Sequence, residues 1–205
     1  MGFGLRTIDR AEAYHVFCRG NNRGRIVWDR EDCVSFRDEL HRVAAKFEWE
    51  VYAWCLMPNH HHVILHATQK QFSAGFQQLN RRHARRTNRR HGRLDHLFRH
   101  RPRTVQIESV AHLVGAIAYV VRNPVEAGLV DHAAAWEWSS YRATVGMTVA
   151  PRWLLVDQVV ALFGHDRARA VAAFVQQVHS GHLPVSNTEE MLSQEEAEEF
   201  ALTIG

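Results

Sequence analysis

No window of this sequence approaches the roughly 18 consecutive apolar residues that a membrane span requires. The opening stretch MGFGLRTIDRAEA also lacks the apolar run of a secretory signal. The expectation is therefore a cytoplasmic protein. Cysteine is scarce: Cys18, Cys33 and Cys55 are odd in number, widely spaced and without a CxxC pair. That rules out a disulfide framework and fits reduced, partly buried thiols. Lysine is nearly absent, two residues against 23 arginines, and no internal repeat is present. What remains is ordinary for a globular chain: 46% hydrophobic and 23% charged residues. Its 205 residues suffice for one full domain with its own core plus an extension.

The formal net charge of +3 is modest, but its distribution is uneven. Between Arg81 and Arg103 stand ten arginines, four histidines and a single acid, Asp95. Near the C-terminus the sign reverses, with Glu189, Glu190, Glu195, Glu196, Glu198 and Glu199 close together. A basic stripe suits a polyanion such as nucleic acid, through Coulomb attraction and counterion release. A solvated arginine-rich helix is the bland alternative.

Hydrophobic periodicity supplies the organisation. Tyr14–Arg19 alternates as a first strand, and GNNRG follows as a turn whose glycines and asparagines supply positive φ. Phe36, Leu40, Val43, Ala44 and Phe47 recur at helical spacing within 32–47. Val51–Leu56 and His61–Leu65 read as two paired strands, separated at MPN because Pro58 cannot donate to a ladder. Phe72, Phe76 and Leu79 begin a helix that runs into the arginine stripe. Leu97–Ile107 holds a fourth strand, which Pro102 places at an edge or bend. Val110–Val121 is an apolar helix expected to stop near Asn123, because a residue before proline is pushed out of the α region. The order strand, helix, strand, strand, helix, strand, then an extra helix fits a ferredoxin-like α+β sandwich, an antiparallel sheet with helices on one face. Beyond Trp138, residues 156–163 and 168–178 carry two short amphipathic patterns joined by GHDR.

Two clusters carry chemistry. In a strand, His60 and His62 point to one face and His61 to the other. Imidazoles about 7 Å apart along the strand can converge on one divalent cation. Two ligands need a third and open water positions, which suits a catalytic metal better than a structural one. By themselves the three histidines leave packed or exposed imidazoles open. On the apolar helix, Tyr119 and Asn123 are four apart and share one face. A lone tyrosine there is usually core, but an amide one turn later could complete the metal shell and set the phenol beside the ion. Phenol, with a pKa of about 10, is a poor nucleophile at neutral pH. A cation and a positioned phosphate lower that barrier by stabilising developing charge.

Here the motifs become specific. MPNHHHVIL and AYVVRNPVEAGLV, with His62 and Tyr119 57 residues apart, resemble the single-tyrosine HUH transposases, the IS200-like family. The likeness is closest to the group associated with repeated extragenic palindromic (REP) elements. YHVFCRGNNRG, LFRHRPR and WEWSSYR support it, so the resemblance covers roughly 14–142. It implies a ferredoxin-like fold, an Mg²⁺ or Mn²⁺ ion, and nicking and rejoining of single-stranded DNA near a hairpin. His60 and His62 match the paired histidines, Tyr119 the nucleophile and Asn123 the third ligand. The nicked strand would keep a free 3′-hydroxyl while its 5′-phosphate joins Tyr119. The middle position, ordinarily hydrophobic, is His61 here, which fits a buried site only with a partner. Asn123 stands where some relatives have Gln or Glu, and it has a shorter reach.

The resemblance also gives the basic stripe a role. Arg81, Arg82, Arg85, Arg86, Arg89 and Arg90 come in pairs every three or four residues and could track a hairpin's phosphates. Arg99 and Arg101 extend the stripe, and Arg23 and Arg25 of GNNRGR are further candidates, though a turn explains that loop equally. A transposase domain over 10–146 and a helical extension with an acidic tail over 147–205 are expected. The partner would be single-stranded DNA with REP-like hairpins, bound by a monomer or homodimer. Two other classes remain: a hairpin-binding regulator that no longer cleaves, and a metal-dependent nuclease using water.

Overall fold

The computed structural model describes residues 13–98 and 101–180. Its elements are β1 (Ala13–Arg19), α1 (Arg30–Lys46), β2 (Glu50–Leu56), β3 (His60–His66), α2 (Gln69–Arg90), β4 (Arg103–Gln106), α3 (Val110–Glu126), α4 (Tyr141–Thr144), α5 (Val156–Ala161) and α6 (Arg167–Ser180). The four strands form one antiparallel sheet in the order β2-β3-β1-β4. The two halves interleave as in the split βαβ arrangement of a ferredoxin-like α+β fold, as the element order predicts. β4 lies at one edge with all four residues exposed, where Pro102 placed it. No helix among the described residues is long and apolar enough to cross a membrane.

Strand alternation decides what each face holds. His61 points toward α1 and α2, with Phe36 and Phe76 beside it. His60 and His62 point the other way, toward α3. Two helices thus cover one face as expected, and the extra helix takes the opposite face. Because both faces are covered, β1, β2 and β3 are buried almost throughout, and their sequences read less polar than a half-exposed strand. The three cysteines are buried and free. Burial pushes the Cys18 thiol up to about 12, so it is inert at neutral pH.

Local chemistry sets the element ends. Asp29 caps α1 by accepting from the Asp32 amide, and Thr68 with Gln71 forms a capping box at α2. Gly75 lets α2 approach Trp49, because a Cβ there would sit 2.3 Å from the indole. The expected stop of α3 at Asn123 is corrected: the helix continues through Pro124 to Glu126. Its terminus is set by Gly128 (φ 67°), whose amide donates to Val125 while Leu129 donates to Pro124. That paired closure uses glycine's left-handed freedom, and it overrides the local bias of the residue before proline.

The GNNRG turn is also corrected in detail. Positive φ falls on Asn22 and Arg23, while Gly20 and Gly24 have ordinary negative φ. Gly20 is required by close approach, since a Cβ would lie 2.0 Å from the Gly24 carbonyl oxygen.

Beyond α3 the chain closes the outer edge of β2. Leu56 donates to Trp138, Ser140 donates to Trp54, and Val51 exchanges bonds with Trp153 and Leu155. α6 then packs onto α3 and α5 onto α6, with Phe174 buried against Tyr141 and Phe163. Arg122 of α3 donates to the Val178 and His179 carbonyls of α6. The acidic segment 189–199 lies outside the described residues.

Candidate active site

β3 and α3 bring the four expected residues to one face of the sheet. His60 is 2% exposed, His62 1%, and Tyr119 and Asn123 6% each. The His60 and His62 rings stand edge to face with centres 4.8 Å apart, and the Tyr119 ring lies 5.8 Å from that of His62. Burial holds both imidazoles neutral. It takes His60 down to about 3, with Arg19 and His61 lowering it further and Asn123 partly opposing them. It also takes His62 well below its ordinary value, helped by His60 and His15. Neutral imidazole is the form that ligates a metal.

The protonation of His60 follows from its neighbours. Asn59 Nδ2 donates to the Arg23 carbonyl at 3.2 Å, which turns Oδ1 toward His60 Nδ1 at 2.6 Å. An amide oxygen only accepts, so Nδ1 carries the proton and Nε2 keeps its lone pair. That Nε2 is buried and completes no hydrogen bond of ordinary geometry, although Asn123 lies close enough to favour the protonated ring. An orphaned buried acceptor of this kind is costly unless something occupies it. Asn123 lies near enough to influence His60, and its Nδ2 folds back onto the Tyr119 carbonyl at 2.8 Å. Its Oδ1 is therefore the atom available as a ligand. Two imidazoles and an amide oxygen are a donor set that could hold a divalent ion with coordination positions left open.

His61, the departure from the family pattern, does find its partner. Nε2 meets Asn80 Oδ1 at 3.0 Å while Asn80 donates to Cys18 Sγ, and the ring stacks parallel to Phe76. Burial takes it down to about 3, so it serves as a neutral core aromatic. Another possible metal cluster, Asp29, Asp32 and His91, draws its donor atoms within 4.8 Å of one another. Those oxygens are already engaged. Arg90 reaches Asp29 at 2.6 Å and Asp32 at 2.7 Å, and His91 reaches Asp32 at 2.8 Å.

The arginine stripe divides into two rows. Arg82, Arg86 and Arg90 face α1, pairing with Glu39 at 3.4 Å, Glu31 at 2.8 Å, and Asp29 with Asp32 respectively. Arg81, Arg85 and Arg89 are exposed in the other row. Arg101 is exposed, Arg99 lies outside the described residues, and Arg23 is exposed beside half-buried Arg25. The GNNRG backbone itself holds the histidine strand: Gly20 donates to Asn59 and Ile26 to Pro58, both at 2.8 Å.

Two residues at the site escaped the sequence reading. In the sequence Asn59 reads only as part of the MPN chain break. His15 shares the face of His62, and its Nε2 meets His62 Nδ1 at 2.8 Å. The alternation His15, Phe17, Arg19 could have signalled it, but only once the pairing of β1 with β3 was known.

A family model described as "Transposase IS200 like" matches residues 10–117, a span that includes the three histidines and ends two residues before Tyr119. No curated protein matches the chain. A solved structure of a REP-associated tyrosine transposase bound to a REP hairpin is similar, with a TM-score of 0.57 at 18% identity, covering 82% of this chain and 93% of that one. At that identity the likeness speaks for the fold alone.

Proposed function

We propose, from the premise that this chain belongs to the IS200-like transposase family, that it nicks and rejoins single-stranded DNA beside hairpins through Tyr119. The observation that carries this reading is the convergence of His60, His62, the Tyr119 ring and Asn123 on one buried face, where Asn123 lies against His60.

In this reading His60 Nε2, His62 Nε2 and Asn123 Oδ1 hold Mg²⁺ or Mn²⁺. The ion, when bound, polarises the scissile phosphate and stabilises negative charge on its oxygens. The Tyr119 hydroxyl oxygen attacks phosphorus, its proton passes to solvent, and the bond from phosphorus to the 3′-oxygen breaks. That oxygen takes up a proton and leaves as a 3′-hydroxyl, while the 5′-phosphate stays on the phenolic oxygen. Attack by a 3′-hydroxyl reverses these steps, so the ester's energy is conserved for rejoining.

The exposed row Arg81, Arg85 and Arg89 and exposed Arg23 and Arg101 are read as phosphate contacts that position a REP-like hairpin. We take 10–146 as the catalytic unit and 147–205 as an extension that braces α3, working in the cytoplasm where the DNA is.

The test incubates labelled single-stranded hairpin oligonucleotides with the protein and Mg²⁺ or Mn²⁺, followed by denaturing gels. A slow, protease-sensitive, metal-dependent band is expected, and it should vanish in Tyr119→Phe with DNA binding retained. Free cleaved ends without that band would assign the attack to water. Binding with no cleavage across a broad hairpin panel would make the chain a regulator.

A further inference from the structure

Proton placement at His62 is the second requirement of the site, and His15 is the group that meets it. His15 Nε2 lies 2.8 Å from His62 Nδ1, the two ring centres are 5.0 Å apart, and His15 also stands edge-on to Tyr119 at 6.2 Å. His15 does not join His60 and His62 as a third convergent ligand. Among the described residues the only cluster of at least three His, Cys, Asp or Glu donors within 4.8 Å is the one Arg90 already fills. Its nitrogen is instead committed to the back of His62.

That contact leaves two arrangements of one proton. Either His62 Nδ1 donates to His15 Nε2, or His15 Nε2 donates to His62 Nδ1 and the His62 proton moves to Nε2. A metal ligand nitrogen must carry no proton. With Nδ1 engaged by His15, Nε2 is the only His62 nitrogen left to ligate. We infer that His15 is a positioning residue, accepting the Nδ1 proton of His62 and so fixing the tautomer and ring orientation that present His62 Nε2 to a divalent cation. The inference rests on the metal-site reading above. A partner on the far nitrogen of a ligating histidine commonly sets its tautomer and raises its basicity. Here that partner is an imidazole on β1, where a carboxylate or carbonyl is more usual. His60 obtains the same tautomer from Asn59, so two neighbouring strands and the turn after β1 align both ligands.

Mn²⁺ titration followed by electron paramagnetic resonance, without DNA, tests this apart from cleavage. His15→Phe keeps an aromatic ring but removes the acceptor, and it should weaken Mn²⁺ binding by about 10- to 100-fold. His15→Gln places an amide oxygen near the former Nε2 position and should recover most of the affinity. Long-range ¹H–¹⁵N spectra of the metal-free wild type should show His62 protonated at Nδ1. Finding His62 protonated at Nε2 overturns the inference whatever the variants do. So does wild-type affinity in His15→Phe, or a folded His15→Gln that binds as weakly as His15→Phe, which would mean packing alone. If wild-type protein binds no Mn²⁺, the metal-site reading fails and the role of His15 falls with it. If wild type and His15→Phe bind equally, the role of His15 alone is lost.

Discussion

Asn59 joins two features that look independent along the chain, the GNNRG turn and the histidine strand. Its amide nitrogen serves the Arg23 carbonyl and its oxygen the His60 Nδ1 proton, so the orientation of the amide is not free. Asn59→Ala removes both bonds and leaves the buried His60 Nδ1 donor unmet, while the carbonyl of exposed Arg23 can turn to water. The unmet buried donor costs about 1–3 kcal/mol. The variant should melt at a lower temperature and bind Mn²⁺ about 10- to 100-fold more weakly, because His60 loses the partner that fixes its tautomer. Asn59→Asp keeps an acceptor for His60 and loses the donor to Arg23. It should recover metal affinity more than stability. Equal Mn²⁺ affinity in wild type and Asn59→Ala, read by calorimetric titration, would remove Asn59 from the site. His60 with His62, and Tyr119 with Asn123, were legible as same-face pairs because each spacing is local to one strand or one helix. The sequence hid Asn59 and His15 because their roles depend on pairing between distant segments.

At the scale of elements, α2 shows why charge counting misleads. Six arginines in adjacent pairs read as one basic side, yet successive residues on a helix are turned by about 100°, so the pairs split into two rows. Arg82, Arg86 and Arg90 meet the acids of α1 and tie the two helices together. Asp32 is only 1% exposed, so Arg90→Ala strips a buried carboxylate of its main partner. The loss should be about 2 kcal/mol. That is below the 3–5 kcal/mol typical of a fully buried pair, because His91 and the Trp28 amide still serve Asp32 and Arg90 is itself partly exposed. Arg81, Arg85 and Arg89 belong to the exposed row, and replacing all three with alanine should change stability by no more than about 0.5 kcal/mol per site. The triple variant should bind a hairpin more weakly, with a log–log salt slope shallower by about 2 to 3. Thermal melts and salt-dependent binding of both variants separate the rows. An unchanged salt slope in the triple variant would move DNA contact elsewhere.

For the whole molecule, the order of strands and helices was legible because hydrophobic periodicity reports which residues are buried. The end of α3 was misread because proline is a visible local signal, whereas Gly128 acts through bonds made only once the helix exists. The edge of β2 was not legible at all, since Trp138, Ser140 and Leu155 reach it from far along the chain. Folding this sequence also encloses several histidines, and that has a consequence for the molecule as a unit. His83 donates from Nε2 to the Ile26 carbonyl at 2.7 Å, and burial takes its pKa from 6.5 to about 4, with Arg86 opposing protonation and Ile26 and Asp32 favouring it. The unfolded chain therefore takes up a proton at higher pH than the folded one. The contribution of His83 is complete above pH 6.5 and is lost as pH falls toward about 4. His15, His60 and His61 are shifted in the same direction, so their losses add. Urea denaturation of the metal-free protein should show stability falling steeply below about pH 6, before most carboxylates titrate. His83→Gln retains a donor for Ile26 but does not titrate, so its stability should fall less steeply by roughly 1 kcal/mol per pH unit between pH 6 and 5. If wild type and His83→Gln lose stability in parallel across that interval, His83 is protonated without unfolding and the acid sensitivity lies in other groups.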